Sequence, residues 1–397
     1  MKILLVCESS YKFESGGRVV RFLSKILKKE GHQVRLLVLN LRRDDYDLDS
    51  FYRENEIIFF PVKRNLKYRM AKLFLRTEEL KRYRSILDSF NPQIVHFASF
   101  DNEKPAKFIR EAKKFGAKVI LQPWTMQFYC AQGFGFRAGH RCDLCITGNY
   151  LNALKKGCIS FKGIPLQMER FKLHKDALSA DVFLSSNSEL DSLLMQYGVE
   201  SEKIVRFPVP FDCSFLEIQE ENEGDYYIFY GQANGHKGLT VLLEAFKNLP
   251  HLKLRIYPLS PLDLDVSGRQ NIEVFNGFNW NNGLKEAIIN AKAVLVPSLW
   301  ASSTEYAMCE ALLLKKPVVI FNVGVHRDIF QNRVNAMVAA PYDVVSYTQA
   351  ILEIDTDADL RKSVADNGFK TLLEINDPKK LGIQLIGAYS KDTWREG

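Results

Sequence analysis

Residues 293–320, AVLVPSLWASSTEYAMCEALLLKKPVVI, constrain the fold of this chain more than any other stretch. The apolar run 293–296 has the length of a buried strand, and a second such run closes the stretch at 317–320. Between them Met308, Ala311, Leu312 and Lys315 recur at helical spacing, so the segment predicts strand, polar loop, helix, strand. That is a βαβ unit, which belongs in a parallel sheet with helices on its faces. The loop after the first strand of such a unit brings free N–H groups at a helix N-terminus to a phosphate. A carboxylate one turn into the helix reaches a ribose hydroxyl. Ser302, Ser303 and Thr304 form that loop and Glu310 is that carboxylate; the same residues also suit an ordinary polar loop with a solvated glutamate.

At 397 residues the chain exceeds one ordinary core and suits two domains. Apolar runs are strand-sized throughout, too short to span a bilayer. The start, MKILLVCESS, lacks the longer apolar core of a secretory signal, which points to the cytoplasm. In the first half, residues 2–7 read as a buried strand, Ser15 to Gly17 as a loop, and Val19, Phe22, Leu23, Ile26 and Leu27 as a helical stripe stopped by Gly31. Gly16 and Gly17 allow close backbone approach to a ligand, or merely tight strand-to-helix packing. Strands follow at 34–39, 94–98, 118–122, 181–185 and 204–207, with helical patterns at 104–115 and 189–197. The alternation predicts a parallel, doubly wound α/β sheet.

The acidic, aperiodic stretch 217–225 reads as a domain boundary. Beyond it the plan repeats: a strand at 226–230, the glycine-bearing turn GQANGHKG at 231–238, a helical stripe at Leu239, Leu242, Leu243 and Phe246, and strands at 252–257 and 272–275. Lys237 in that turn suits a lysine that meets a phosphate, or a solvated turn lysine; the spacing is not that of a P-loop. Helical patterns at 344–353 and 358–371 finish the domain, and 378–391 is long enough for a helix that returns to the first domain.

Net charge is +7, and its distribution matters more than its size. Residues 62–87 carry nine Lys and Arg against Glu78 and Glu79, with apolar residues interleaved. A basic amphipathic helix of this kind can lie on an anionic membrane face, hold a phosphorylated acceptor, or simply be a solvated surface helix. No base-reading module accompanies it, which argues against nucleic acid. Four cysteines form a separate pattern, C-x11-C-x2-C-x12-C, at Cys130, Cys142, Cys145 and Cys158. The central C-x2-C is the usual knuckle of a tetrahedral zinc site, and the surrounding glycines suit a loop excursion with little core of its own. A structural zinc, an iron–sulfur cluster and plain reduced thiols are the three readings, since a reducing compartment disfavours disulfides.

The glycine pair after the first strand, the turn ending Lys237-Gly238, and PSLW followed by Glu310-Ala311 and Lys316-Pro317-Val318-Val319 together resemble glycosyltransferase family 4, of the GT-B fold. The resemblance covers nearly the whole chain, and a branch of that family resembles the four-cysteine insert. It implies two Rossmann-like domains facing a cleft: residues 1–216 for the acceptor, with the insert at 130–158, residues 217–377 for a nucleotide-sugar donor, and residues 378–397 as the returning helix. It further implies a retaining hexosyltransferase using a UDP- or GDP-sugar and no metal in its chemistry. By position Lys237 would hold the donor diphosphate, Glu310 the ribose, and Gly16 and Gly17 the cleft-side turn. The sequence departs from the family at three places: Gln232 stands where an arginine is usual, Ser302 where a glutamate is usual, and Trp124 in the setting of a usual histidine. His236 is placed to supply part of the missing positive charge, and Glu305, three residues on, to replace the missing carboxylate while Ser302 and Thr304 keep the loop polar. A carboxylate beside phosphates repels them unless it points at sugar hydroxyls or at Lys237. The combined reading is a cytoplasmic enzyme, either free or peripheral to the inner face of the membrane, that extends a lipid-linked glycan of the surface-polysaccharide kind. The alternative is a catalytically silent GT-B subunit of a glycosylation complex.

Overall fold

The computed structural model describes residues 1–7, 14–39, 51, 55–59, 77–98, 106–164, 174–215, 224–259, 262, 266, 268–280 and 282–391. These divide into two compact units. Met1–Gly135, Cys142–Asp212 and Pro378–Gly397 make the first, and Phe136–Arg141 with Cys213–Asp377 the second. The two sheets, of seven and six strands, are both wholly parallel, and the architecture is GT-B.

In chain order the strands of the first unit are β1 (Lys2–Cys7), β2 (Gln33–Val38), β3 (Glu56–Phe59), β4 (Ile94–Ala98) and β5 (Lys118–Gln122). A two-residue pair, β6 (Phe136–Arg137) and β7 (His140–Arg141), groups with the second unit, after which β8 (Val182–Ser185) and β9 (Ile204–Arg206) complete the first sheet. Its order is β3-β2-β1-β4-β5-β8-β9. Ile3 to Cys7 are all buried, as a strand covered on both faces requires. Helix α1 (Ser15–Lys29) presents Val19, Phe22, Leu23, Ile26 and Leu27 to that sheet. It begins earlier than the stripe suggests. The Arg18 N–H already bonds Glu14 O at 3.0 Å, so Gly16 and Gly17 lie in the first helical turn and not in a loop.

Helix α2 (Thr77–Phe90) stacks Tyr83 on Phe108 of α3 (Ala106–Phe115), ring centroids 4.0 Å apart, and Arg84 pairs with Glu111 at 2.5 Å. The described end of the basic stretch therefore has an ordinary packed face, while its residues 62–76 lie outside the described residues, as do 217–223 of the acidic stretch. Between β5 and β8 the described residues form short helical pieces, among them α4 (Leu151–Lys155) and residues 174–177, besides turns and the β6–β7 pair. Helix α5 (Ser188–Tyr197) starts where the Asn187 side chain accepts from Leu190 N–H and stops at Gly198, φ 106°.

The second sheet runs β12-β11-β10-β13-β14-β15, with β10 (Tyr226–Gly231), β11 (Lys253–Pro258), β12 (Ile272–Val274), β13 (Ala293–Val296), β14 (Val318–Phe321) and β15 (Met337–Ala339). Its helices are α6 (Leu239–Lys247), α7 (Leu284–Ile289), α8 (Tyr306–Leu313), α9 (Val325–Ile329), α10 (Val344–Thr356) and α11 (Ala358–Ile375). Val294, Leu295 and Val296 pair with Val318, Val319 and Ile320, so residues 293–320 form the βαβ unit. In both sheets the first strand of the unit sits between neighbours that lead away in opposite directions, which makes β1/β4 and β10/β13 the switch points where such sheets bind ligands.

The last helix, α12 (Pro378–Ser390), packs in the first unit. Its Tyr389 hydroxyl lies 2.8 Å from His96 Nδ1 of β4, and Lys118 Nζ donates to Tyr389 O at 2.8 Å. Burial pushes the His96 imidazole down to about 3, so it stays neutral. Among the described residues no helix is long and apolar enough to cross a membrane.

Candidate functional site

Three loops of the second unit, following the adjacent strands β10, β13 and β14, converge at the carboxyl edge of the sheet. The first ends in the turn Gly235–Lys237 and Gly238, φ 72°. A Cβ at Gly238 would stand 1.8 Å from the Pro297 carbonyl oxygen, so only glycine lets the lysine turn rest on the loop after β13. Leu299 N–H donates to His236 O at 2.9 Å and fixes that contact. The third loop closes from the other side: Val325 N–H donates to Ser302 O at 3.0 Å, and a Cβ at Gly324 would stand 2.6 Å from Ser302 N.

At the centre lies Glu305, immediately before α8 and only 3% exposed. Lys237 Nζ donates to its Oε2 at 2.5 Å, and Trp300 Nε1 donates to its Oε1 at 3.2 Å. Burial works against the carboxylate's charge. Attraction to Lys237 and to His326, with hydrogen bonds from Lys237 and Ser298, outweighs it and holds the carboxyl below its ordinary value. His236 is the reverse case. Burial first, then the Lys237 charge, lowers it to about 4 against the pull of Glu305, so the ring is neutral and packs edge-on to Trp300 at 5.6 Å. His326 in α9 is likewise lowered by burial, and its Nδ1 lies 3.1 Å from Phe321 O. Of this pair the Lys237 side chain keeps 21% exposure while Glu305 keeps 4%.

Glu310, one turn further along α8, is buried, with Oε2 3.3 Å from the Tyr230 hydroxyl of β10; that hydroxyl also donates to Ala307 O at 2.8 Å. Ser302 is buried in the loop, and Thr304 Oγ1 lies 3.8 Å from Cys309 Sγ. Gln232 is exposed at the start of the lysine turn. Lys237, His236, Glu305 and Ser302 therefore share one set of loops with Glu310 behind them. Sequence reasoning did not find Trp300 as a donor, nor Ser298, His326 and Tyr230. Trp300 was visible only as part of PSLW, and nothing in the sequence says that His326 is buried near a carboxylate.

In the first unit the first turn of α1 lies against Trp124, in the loop that follows β5. A Cβ at Gly16 would stand 3.2 Å from the Trp124 indole, so that glycine accommodates the ring. Among the described residues, the buried Trp124 Nε1 has no hydrogen-bond partner, at a place where a hydroxyl-rich ligand would supply one. Cys130, Cys142, Cys145 and Cys158 also belong to this unit and wall one cavity of about 20 Å³. Burial, then the neighbouring Cys130, Cys142 and Cys158, push the Cys145 thiol up to about 11. Among the described residues no three His, Cys, Asp or Glu side chains are drawn onto one point as metal ligands.

Residues 215–371 match the family described as glycosyl transferases group 1. No curated protein matches the sequence. Among solved structures the chain is similar to HepE of Anabaena in complex with UDP, at 12% identity over 98% of this chain and 100% of that one, with a TM-score of 0.67. A sucrose-phosphate synthase from Thermosynechococcus elongatus aligns at 11% identity over 98% of each chain, with a TM-score of 0.69. The lipopolysaccharide outer core galactosyltransferase WaaB, in its apo form, aligns at 14% identity over 98% of this chain and 99% of that one, with a TM-score of 0.61. At these identities the likeness establishes the fold.

Proposed function

We propose that this chain is a nucleotide-sugar-dependent glycosyltransferase that moves a hexose, with retention at the anomeric carbon, from a UDP- or GDP-sugar to a lipid-linked glycan of the surface-polysaccharide kind. The observation that carries the reading is the Lys237–Glu305 pair at the switch point of the second sheet, inside the segment that matches the glycosyl transferases group 1 family. A lysine held at a sheet edge, part exposed and already neutralising one carboxylate, is set to share its charge with an incoming diphosphate. HepE is also known with UDP-glucose bound, and WaaB acts on lipopolysaccharide; both support the donor and acceptor classes proposed here.

In this reading Lys237 binds the diphosphate and stabilises it as it leaves, while Glu310, backed by Tyr230, takes the ribose. Ser302 and Thr304 present hydroxyls and backbone to the sugar, and Gln232 contributes hydrogen bonds where a cation would give charge. Neutral His236 supports the lysine turn through its carbonyl instead of contributing charge. Residues 1–216 serve the acceptor, with Gly16, Gly17 and Trp124 as its site residues; residues 217–377 serve the donor. All of this chemistry proceeds through protein groups, with no metal in the transfer step. The enzyme acts in the cytoplasm at the inner face of the membrane.

A silent binding subunit is the second reading. It draws on Glu305, whose two oxygens are both taken by groups of its own domain, and on the uncharged Gln232 and Ser302. A thermal-shift panel of nucleotide-sugars, followed by turnover of the stabilising donor, separates the two. A ligand at about 100 times its Kd stabilises by roughly 2.7 kcal/mol. Stabilisation with turnover supports the enzyme, stabilisation without turnover the silent subunit, and neither removes both.

A further inference from the structure

We propose that Cys130, Cys142, Cys145 and Cys158 bind one structural zinc ion that fixes the loop leaving β5. The four residues are dispersed over the sequence but wall a single cavity, together with Tyr129, Leu144 and Lys156. Three independent turns bring them there. Cys130 follows a turn in which its N–H donates to Met126 O at 2.7 Å while its carbonyl accepts from Gly133 N–H at 3.1 Å. Cys142 and Cys145 flank a tight turn, with Ile146 N–H on Asp143 O at 2.9 Å and Gly148 N–H on Cys145 O at 3.1 Å, Gly148 having φ 85°. Cys158 arrives past the end of α4, its N–H on Ala153 O at 2.8 Å behind Gly157, φ 70°.

Such convergence has a reason to exist. Residues 129–164 lie between two core strands, yet bury few apolar side chains, namely Tyr129, Ile146, Tyr150 and Ala153. A segment of that length without a core needs another source of order, and all seven cysteines are free thiols, so no disulfide supplies it. Four soft sulfur donors select zinc or an iron–sulfur cluster. The C-x2-C of Cys142 and Cys145, the usual knuckle of a tetrahedral zinc site, favours zinc. The sulfurs line the wall without meeting at one point, so ligation requires thiol rotation and a small contraction of turns that already face one another. Each thiol gives its proton to solvent as its bond to zinc forms, and no redox step is involved. Lys156 on the cavity wall offsets part of the negative charge that four thiolates leave around a dication.

The site reaches the rest of the unit through the same turns. Met126 N–H donates to Gly133 O at 2.8 Å and the Thr125 side chain accepts from Gln127 N–H at 3.3 Å, so an ion holding Cys130 also holds the exit of β5 that carries Trp124. The proposal stands independently of the transferase reading, and its test uses no activity.

The full chain, purified without added metal, is assayed for zinc, iron and sulfide. The expected content is about one zinc per chain, falling close to zero in Cys142→Ser/Cys145→Ser and unchanged in Cys213→Ser, which lies outside the cluster. Refilled with cobalt, the wild type should show an intense thiolate-to-cobalt charge-transfer band that the double variant lacks. If the double variant does not fold, zinc is instead stripped from the wild type with a mercurial and chelator, and protease cleavage within 130–158 is followed; faster cleavage restored by zinc supports the site. Wild type that neither carries zinc nor takes up cobalt, iron with sulfide in place of zinc, or equal zinc in the double variant would each overturn it.

Discussion

Lys237 Nζ and Glu305 Oε2 lie 2.5 Å apart at the carboxyl edge of the second sheet, and the other oxygen of the same carboxylate accepts from Trp300 Nε1. Glu305 therefore points inward, at the lysine, and both partners are oriented before any ligand arrives. A diphosphate entering this edge meets a cation of fixed position whose counterion cannot follow it into solvent. Removing half of such a pair costs more than the pair itself is worth, because the remaining charge is left buried. That asymmetry makes the relationship measurable.

Lys237→Ala should destabilise the fold by about 3 kcal/mol, near the low end for breaking a buried pair because Lys237 keeps some contact with water. Adding Glu305→Gln to Lys237→Ala should return much of that loss, since the stranded carboxylate is gone. Urea unfolding of the two single variants and the double variant gives the coupling. Additive losses would mean that the two side chains do not act as a pair in solution.

Nucleotide binding isolates the donor site. Glu310→Ala should leave the fold intact and weaken UDP or GDP binding by about tenfold, or 1.4 kcal/mol, the worth of a charge-assisted hydrogen bond to a ribose. Lys237→Ala, read in the Glu305→Gln background so that stability does not confuse affinity, should weaken it at least as much. Calorimetry showing wild-type affinity in both would move the donor elsewhere.

The parts of this molecule that local pattern determines were legible from residues alone. Ala293–Val296 and Lys118–Gln122 are apolar runs between polar turns, and each became a strand over those residues. Where the element is short the pattern is too weak: Met337–Ala339 and Val325–Ile329 carry no full period. Gly16 and Gly17 looked like a loop because glycine disfavours helix, but packing of the first turn against Trp124 overrides that preference. The orientation of Glu305 depends on Lys237, 68 residues away, and on His326, and long-range pairing of that kind leaves no local trace.

Acid should destabilise this protein earlier than its carboxylates alone would. His96 at about 3 and His236 at about 4 lie below the unfolded histidine value near 6.5, as His326 does in direction. Their contribution is present above about 6.5 and is lost as pH falls toward the folded values, because the unfolded chain binds protons that the native chain refuses. Each such histidine tilts stability by up to about 1.4 kcal/mol per pH unit inside that window. Glu305, also lowered, adds its loss only below the unfolded carboxyl value, about 4.3. The thermal midpoint should fall steadily from pH 6.5 to 5, and the fall should be shallower in His96→Gln. A flat profile over that range would show that these rings are not buried neutral.

The membrane contact proposed for residues 62–87 makes its own demand. With Lys67, Lys72 and Arg76 replaced by glutamate, sedimentation with phosphatidylserine vesicles should drop severalfold, and salt should weaken the binding of the native chain as it screens those charges. Equal sedimentation of both proteins would leave the stretch a solvated surface.

The last prediction concerns chemistry at Glu305. Donor binding requires only that Lys237 can reach the diphosphate, whereas catalysis requires that its charge be held where the leaving oxygen develops negative charge. In the proposed reading Glu305 holds it there. Glutamine keeps the size of the side chain and an acceptor for Trp300 Nε1, but loses the charge that draws the ammonium to one position. Glu305→Gln should then lower single-turnover rate by about tenfold or more while donor affinity stays equal or improves, since the freed lysine interacts with the diphosphate more fully in the ground state. That split distinguishes a positioning carboxylate from one that bonds the sugar, whose loss would weaken donor binding as well. The assay uses the donor that gives the largest thermal shift, with a lipid-linked acceptor extracted from cells. Identical rates in the two proteins would remove Glu305 from the mechanism, and no transfer by either would favour the silent subunit.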